Sequence, residues 1–285
     1  MDGRAEAPAA GTVLNALATG TGSAFAIDAY TTAEVHLDPD ADDVTGEVAG
    51  HPDADTRLVE KCVEFTVNLH GDGDPGGTVR TESEVPMASG LKSSSAAANA
   101  TVLATLDALG KADEVARENA AQIGVRAARA VGVTVTGAYD DASASMLGGV
   151  TVTDNTEDVL LHREAVDWDV LVWTPPEQAF SADADVERCR RVEPMAILVE
   201  ELALAGRYQT AMTVNGFAFA AALDQPTAPM VDALPLADGV SLSGTGPSYV
   251  AVGDRDALET VQETWNERDG TTWLTTTQTD GARTR

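Results

Sequence analysis

The apolar residues of this chain recur at helical spacing in two clear segments. In residues 56–69 the intervals are four, three and four positions, which puts four residues on one face of a predicted helix: Leu58, Cys62, Phe65 and Leu69. The same periodicity predicts a helix over residues 256–265, with Leu258, Val261 and Trp265 on one side. Both helices therefore have an apolar face to bury against a core.

Other segments have the composition of strands, turns and buried helices. Runs rich in Thr, Val and Tyr predict strands over residues 25–37, 78–85, 150–153 and 169–174. Helices are predicted over 93–109, ended by Gly110, over 113–131, and within 183–223. Residues 38–43, 71–77 and 137–141 are predicted turns or loops, and residues 240–252 a strand, a glycine-rich turn and a strand. This order predicts an α+β protein, which we divide into two domains, 1–165 and 166–285.

The charge is strongly negative, although a content of 44% hydrophobic residues is sufficient for a large core. The chain has 46 acidic and 18 basic residues, a formal net charge of −28, so it would repel nucleic acid. The lysines are only Lys61, Lys92 and Lys111, and all other basic residues are arginine. An acidic, lysine-poor surface is typical of proteins that work in concentrated salt, where charge repulsion is screened. We therefore expect a halophilic source.

Two cysteines, Cys62 and Cys189, are too few for a disulfide framework and have no metal-site spacing, so we expect buried free thiols. The sequence shows no signal-peptide pattern at Met1 and no apolar run long enough to span a membrane. We expect a cytoplasmic protein without membrane contact.

The segment 86–99 has the chemistry of a phosphate site. It reads Pro-Met-Ala-Ser-Gly-Leu-Lys-Ser-Ser-Ser-Ala-Ala-Ala-Asn and combines flexible backbone, hydroxyl groups and Lys92 directly before a predicted helix. Free N–H groups and the positive end of a helix dipole bind anions. The structural alternative is a serine-capped, alanine-rich helix that only packs in the core. Lys92 favours the phosphate site, since its ammonium group can neutralise phosphate.

The familiar nucleotide motifs are absent. The chain contains no G-x-x-x-x-G-K-[ST] sequence, which excludes the P-loop kinases. Gly20-Thr21-Gly22 and Gly244-Thr245-Gly246 both lack the third glycine of a dinucleotide fingerprint.

Asp140 and Asp141 are candidates for the chemistry itself. Phosphoryl transfer to an alcohol needs an aligned hydroxyl group and a group that accepts its proton. A solvated turn is a strong alternative in so acidic a chain, but the small and apolar residues at 142–149 suggest burial. Residues 243–248 form either a simple tight turn or a backbone brace beside phosphates.

Three segments together resemble a known superfamily. Pro86-x-x-x-Gly90-Leu91-x-Ser93-Ser94 is similar to the central ATP motif of the galactokinase, homoserine, mevalonate and phosphomevalonate (GHMP) kinases. Residues 137–149 resemble their aspartate-containing loop, and residues 243–248 their C-terminal glycine motif. Within the superfamily, residues 89–99 and 10–28 look like the archaeal shikimate kinases, which share Lys92 where most members have glycine.

The resemblance implies a two-lobed GHMP kinase fold, with an N-terminal ribosomal-protein-S5-domain-2-like lobe and a C-terminal ferredoxin-like lobe. It implies ATP and Mg²⁺ as cofactors and Asp140 as the base or the carboxylate that orients the substrate, with Asp141 also allowed by the spacing. The aspartate without that role is a candidate to bind substrate or metal. The implied ATP-binding residues are Pro86, Met87, Ala88, Ser89, Gly90, Leu91, Lys92, Ser93, Ser94, Ser95, Ala96, Gly244, Thr245 and Gly246. Candidate substrate-binding residues are Asn15, Ser23 and Asp28, and candidate magnesium ligands are Ser94 and Glu118.

The function implied by the resemblance is ATP-dependent phosphorylation of the 3-hydroxyl of shikimate, a small-molecule substrate whose carboxylate should meet a cation. Two rival functions are left open. One is a homoserine or mevalonate kinase of the same superfamily, and the other is a nucleotide-binding protein without turnover. The sequence does not determine the oligomeric state.

Overall fold

The secondary structure was obtained from a computed structural model, which describes residues 1–73, 75–134, 136–177 and 184–285. Residue 74, within the predicted break at 71–77, and residue 183, where the predicted helical region begins, lie outside the described residues. The strands are β1 (Asp2–Leu14), β2 (Thr21–Asp38), β3 (Val44–Val48), β4 (Gly76–Ser83), β5 (Val150–Asp154), β6 (Val159–Glu164), β7 (Asp169–Thr174), β8 (Gly239–Leu242), β9 (Tyr249–Gly253), β10 (Thr271–Thr276) and β11 (Arg283–Thr284). The helices are α1 (Arg57–His70), α2 (Ser93–Ala108), α3 (Arg117–Val131), α4 (Tyr139–Leu147), α5 (Val186–Arg190), α6 (Glu193–Leu204), α7 (Tyr208–Ala222), α8 (Ala228–Ala233) and α9 (Arg255–Trp265).

Two sheets organise the chain. The first has seven strands in the order β11-β1-β2-β4-β3, with β5 paired to the first part of β2 and β6 paired to β5. The second is an antiparallel sheet in the order β10-β7-β9-β8. The predicted division after residue 165 falls between β6 and β7, but β11 returns from the C-terminal end to the first sheet. The division into domains 1–165 and 166–285 stays a prediction.

Most predicted elements are confirmed. The strand predicted at 169–174 is β7, and the helix predicted at 256–265 is α9, whose Leu258, Val261 and Trp265 are buried. The helix predicted from residue 113 begins only at Arg117. The loop predicted at 137–141 is wrong in its second half, because α4 begins at Tyr139. Short Ala and Ser side chains between glycines hide this helix from the periodicity analysis, since they give no apolar face.

Two cores hold the elements together. One lies between the first sheet and helices α1–α4, with α2 buried along most of its length. The other joins strands of both sheets to α6 and α7, so the lobes share buried surface. Cys62 and Cys189 are free and buried, as predicted. None of the described helices combines the length and apolar character needed to cross a bilayer.

The C-terminal strand is fixed by a carboxylate on β1. Glu6 is 5% exposed and accepts hydrogen bonds from Arg283 (2.6 Å) and Arg285 (2.6 Å). Burial raises the pKa of Glu6, but the hydrogen bonds from Arg285 and Arg283 outweigh that effect and hold the pKa below its usual range. The ionised form of Glu6 therefore stabilises the folded state.

We expect Glu6→Gln to lower the free energy of unfolding by about 1–2 kcal/mol at pH 7, because three hydrogen bonds from the two arginines lose their anionic acceptor and the amide NH₂ group cannot accept. The lowered pKa means that this contribution is present above the unfolded-state value of about 4.3 and is lost as pH falls through the folded-state value. Denaturant unfolding in molar KCl at several pH values measures it, with the curves of both proteins converging in acid.

The matched control is Glu34→Gln on the same sheet, where an exposed carboxylate lies 3.5 Å from Arg4. We expect a change of about 0.5 kcal/mol or less. Equal effects of both substitutions at pH 7 would contradict the role of Glu6.

Candidate active site

The loop between β4 and α2 turns sharply because three residues adopt left-handed backbone angles. The φ values are 53° for Ala88, 84° for Gly90 and 64° for Lys92. Lys92 is the residue before α2, and a side chain in this region costs about 1–3 kcal/mol. A glycine would avoid that cost, so a lysine at this position suggests a task for its ammonium group.

The turn at residues 243–248 holds this loop from the second lobe. The Ser243 hydroxyl donates to the carbonyl of Gly90 (2.8 Å), and the Ser248 N–H donates to the carbonyl of Ser89 (3.1 Å). A Cβ atom on Gly90 would lie 2.3 Å from the Ser243 carbonyl oxygen, so only glycine permits this approach. Backbone atoms of the two segments are therefore in direct contact.

The end of β1 completes this contact. The Gly244 N–H donates to the Thr12 hydroxyl (2.7 Å), and the Asn15 side-chain amide donates to the Gly244 carbonyl (2.9 Å). The Asn15 amide oxygen accepts from the Leu17 N–H (3.0 Å). Both ends of the Asn15 amide are thus engaged within the protein.

The N-terminus of α2 has the features of an anion site. No side chain caps it, and its first turn contains no acidic residue in a chain with 46 of them. Ser94 and Ser95 lie in that turn and line a cavity of about 50 Å³, here called the serine cavity. Unpaired N–H groups, hydroxyl groups and the positive end of the helix dipole suit phosphate oxygens.

A second cavity of about 50 Å³, the aspartate cavity, lies beside the first. Asp140, Asp141 and Lys92 line it, and Asp141 lines both cavities. The Lys92 ammonium nitrogen is 2.9 Å from Asp141 Oδ1, with the two side chains 9% and 16% exposed. A largely buried cation therefore meets an acid pair, with Asp140 buried and Asp141 partly buried, where the cavities adjoin.

Asp140 is the more buried of the two aspartates, at 5% exposure. Burial and the neighbouring charge of Asp141 raise its pKa to about 7, although Lys92 and a hydrogen bond from Asn155 act in the opposite direction. A Cβ atom on Gly22 would lie 2.5 Å from the Asp140 carboxyl carbon, so glycine in β2 makes room for this carboxylate.

Some residues of this site were missed by the sequence analysis. Asn155 donates its side-chain amide to Asp140 Oδ1 at 2.7 Å, and Thr134 and Thr136 line the aspartate cavity. Asn155 lies 15 positions after Asp140 in the sequence, directly after β5, and no motif connects the two residues. A polar residue directly after a buried strand was the one available signal.

The predicted ATP-binding residues occupy different surroundings. Lys92, Gly244 and Thr245 line the aspartate cavity, Ser94 and Ser95 line the serine cavity, and Ser93 is the first residue of α2. Gly90 and Gly246 meet at the backbone contact, Ala88 turns the loop, and Leu91 and Ala96 are fully buried. Pro86, Met87 and Ser89 line a separate groove of about 610 Å³, here called the rear groove.

Of the predicted substrate-binding residues, the structure brings only Asn15 to the aspartate cavity. Since Gly22 faces Asp140 and side chains alternate along a strand, Ser23 faces the opposite side of β2, with Phe25. Asp28 is exposed and lines the rear groove. The structure therefore separates Ser23 and Asp28 from Asp140.

The two predicted magnesium ligands are also apart. Ser94 lines the serine cavity, whereas Glu118 is exposed in the first turn of α3 and lines neither cavity. Gly124 of α3 faces Ala98 of α2. From that contact, Ser94 lies toward one end of α3 and Glu118 lies toward the other. Among the described residues, no group of three or more His, Cys, Asp and Glu could hold a metal by itself.

Comparisons with known proteins agree on one family. The model of the GHMP kinase N-terminal domain matches residues 57–149. The shikimate kinase of Halobacterium salinarum is 69% identical over 284 residues, 100% of both chains. The shikimate kinase of Methanothrix thermoacetophila is 52% identical over 95% of this chain and 92% of its own.

Solved structures share the fold at low identity. Methanococcus jannaschii mevalonate kinase superposes with a TM-score of 0.78 at 13% identity, over 96% of this chain and 98% of its own. Homoserine kinase from Cytophaga hutchinsonii gives 0.77 at 15% identity, over 100% and 97%. The predicted α+β fold of the GHMP kinases is confirmed. The chain belongs to the GHMP kinase superfamily and, within it, to the shikimate kinase family represented in archaea.

Proposed function

We propose that this enzyme transfers the γ-phosphoryl group of ATP to the 3-hydroxyl of shikimate. The observation that carries the proposal is the uncapped N-terminus of α2 beside the buried Lys92 and the aspartate pair. The kinase family implies ATP as the phosphoryl donor, and the relatives named shikimate kinase, identical at up to 69% of positions, support shikimate as the acceptor. We place the reaction in the cytoplasm, where the thiols of Cys62 and Cys189 stay reduced.

In this mechanism the phosphates of ATP bind at the first turn of α2. Ser94 and Ser95 offer hydroxyl groups, and Lys92 offers a cation at the adjoining wall. Lys92 has to exchange its contact with Asp141 for the phosphate. Charge that spreads over the phosphate oxygens in the transition state is then stabilised by fixed donors that need little reorganisation.

Asp140 is the base in our proposal, and its raised pKa of about 7 suits proton acceptance near neutral pH. The acceptor hydroxyl gives its proton to the Asp140 carboxylate while its oxygen bonds to the γ-phosphorus. The bond between that phosphorus and the bridging oxygen breaks, and ADP leaves. Asp141, paired with Lys92, holds the cation in place before ATP arrives.

Magnesium fits this site as a partner of the nucleotide. Ser94 offers a hydroxyl in the uncapped first turn of α2, and Mg²⁺ in kinases keeps waters and phosphate oxygens as most of its ligands. When bound, Mg²⁺ neutralises phosphate charge. Glu118 as its carboxylate ligand stays a prediction, to which the exposed position of that side chain gives no support.

The acceptor is polar and small in this proposal. Thr134 and Thr136 bring hydroxyl groups to the aspartate cavity, which suits a polyhydroxylated molecule. Lys92 is the basic residue among the described residues that line the two cavities, so the substrate carboxylate has no arginine there. We propose that hydroxyl and backbone N–H donors bind the carboxylate.

The assay that tests this function measures ATP-dependent phosphorylation of shikimate, homoserine and mevalonate, in parallel, with Mg²⁺ in molar KCl. We expect turnover of shikimate alone, detected as ADP release and as a new phosphomonoester signal in ³¹P NMR. Turnover of homoserine or mevalonate instead would identify another kinase of the superfamily. ATP binding without any turnover would identify a binding protein.

The two aspartates should respond differently to replacement by asparagine. We expect Asp140→Asn to lower kcat by about 10²–10⁴-fold, the range of general base catalysis, with ATP affinity nearly unchanged. Asp141→Asn should lower kcat about tenfold or less and strengthen ATP binding, because it releases Lys92 from its ion pair. Steady-state kinetics and calorimetric ATP titration measure both. The reverse ranking of the two kcat values would assign the base to Asp141.

Lys92→Met should weaken ATP binding about 10–100-fold, because one charge-assisted contact to phosphate is lost. It should also move the acid limb of the kcat/KM profile to higher pH, since Lys92 lowers the pKa of Asp140. The control is Lys61→Met on α1, where the lysine pairs with Glu64. Similar ATP affinity in both variants would remove Lys92 from the phosphate site.

A further inference from the structure

Asn155 contacts Asp140 at two points. Its side-chain Nδ2 donates to Asp140 Oδ1 at 2.7 Å, and its Oδ1 accepts from the Asp140 backbone N–H at 3.0 Å. The Thr153 hydroxyl donates to the same Asn155 Oδ1 at 2.7 Å. Two donors at Oδ1 fix the orientation of the amide, so its NH₂ group must face the carboxylate. Asn155 is 2% exposed, and water does not compete for these contacts.

The backbone around Asn155 is held by an arginine from α3. Arg129 donates from Nη2 to the carbonyls of Asn155 (2.9 Å) and Thr136 (3.1 Å). Asp158 binds the same guanidinium through both carboxylate oxygens, at 2.5 Å and 2.8 Å. Arg129 thereby joins the chain after β5 to the chain before α4. The end of one strand and the start of the aspartate helix become one unit.

We propose that Asn155 is a positioning residue that orients the Asp140 carboxylate and favours its ionised form, with Arg129 and Asp158 fixing Asn155 in turn. The proposal rests on the proposed function in taking Asp140 as the base. With Oδ1 held by Asn155, the acceptor proton is received at Oδ2. If the carboxylate rotated freely, either of its oxygens could receive the proton.

Few other charges act on Asp140. Among the residues that the structure describes, the charged groups that face it are Asp141, next to it on α4, and Lys92 at the start of α2. Asp141 disfavours the ionised form of Asp140, and Lys92 favours it. Two neutral donors, the backbone N–H of Asp141 and the side-chain amide of Asn155, also lower the pKa that burial raises. Asn155 supplies the side-chain donor of the two. Its removal shifts the balance toward the protonated acid, which cannot accept a proton.

Two replacements of similar size test the proposal in the full-length enzyme. In Asn155→Leu both hydrogen bonds to Asp140 are lost. We expect the acid limb of the kcat/KM profile to shift to higher pH by about one unit. In Asn155→Asp a carboxylate replaces the donor, and repulsion should raise the limb further. At pH 7 both variants should lose kcat about tenfold or more, with ATP affinity within about threefold.

The control is Asn99→Leu. Asn99 is fully buried, and its amide donates to the Ala142 carbonyl on α4 at 2.8 Å without contacting Asp140. We expect it to lower the melting temperature while the acid limb stays in place. A loss of stability in the Asn155 variants, with neither the acid limb nor the titration midpoint of Asp140 moved, would overturn the proposal.

A titration without turnover separates this proposal from the proposed function. In ¹³C NMR of the enzyme labelled at aspartate carboxyl carbons, the Asp140 signal is the one that Asp140→Asn removes. We expect its midpoint to rise in Asn155→Leu. A raised midpoint with an unchanged acid limb supports Asn155 as the positioning residue and overturns Asp140 as the base. An unchanged midpoint overturns the role of Asn155, whichever substrate the enzyme uses.

Discussion

The site depends on hydrogen bonds between side chains and backbone groups of three segments that are far apart in sequence. The loop before α2, the turn at 243–248 and the end of β1 are joined by hydrogen bonds across 153, 229 and 232 positions. Gly90 is what lets the first two approach. Because the turn belongs to one sheet and the loop follows a strand of the other, the position of the α2 N-terminus depends on both lobes. A movement of one sheet relative to the other would therefore displace the α2 N-terminus, where we propose that phosphate binds.

The second constraint is the burial of charge. Asp140, Asp141 and Lys92 are removed from most solvent, which disfavours isolated ions and makes each charge depend on its neighbours. Such a cluster contributes little to stability, and groups with shifted pKa values concentrate where chemistry is done. The left-handed backbone of Lys92 likewise does not favour stability, since a glycine there would avoid the strain.

The sequence was sufficient to predict the main elements, the loop at 86–98 and the aspartate pair, because each has a local signal in spacing or composition. The face of β2 on which Ser23 lies could not be predicted, because strand pairing decides which face a residue occupies and a shift of one position reverses it. Asn155 and Arg129 reach the site through tertiary contacts that leave no pattern in the chain. The return of β11 to the first sheet depends on a pairing across more than 270 positions, Glu6 with Arg283, which no local rule detects.

The burial of Lys92, at 9% exposure, also limits the effect of the surrounding solution on its ion pair with Asp141. Dissolved ions reach the many surface carboxylates, but interactions between buried charges are screened far less. The surface can therefore gain or lose acidic residues with little direct effect on the interactions among Lys92, Asp140 and Asp141. The surface carboxylates that respond to salt and the buried charges of the proposed site are therefore different residues.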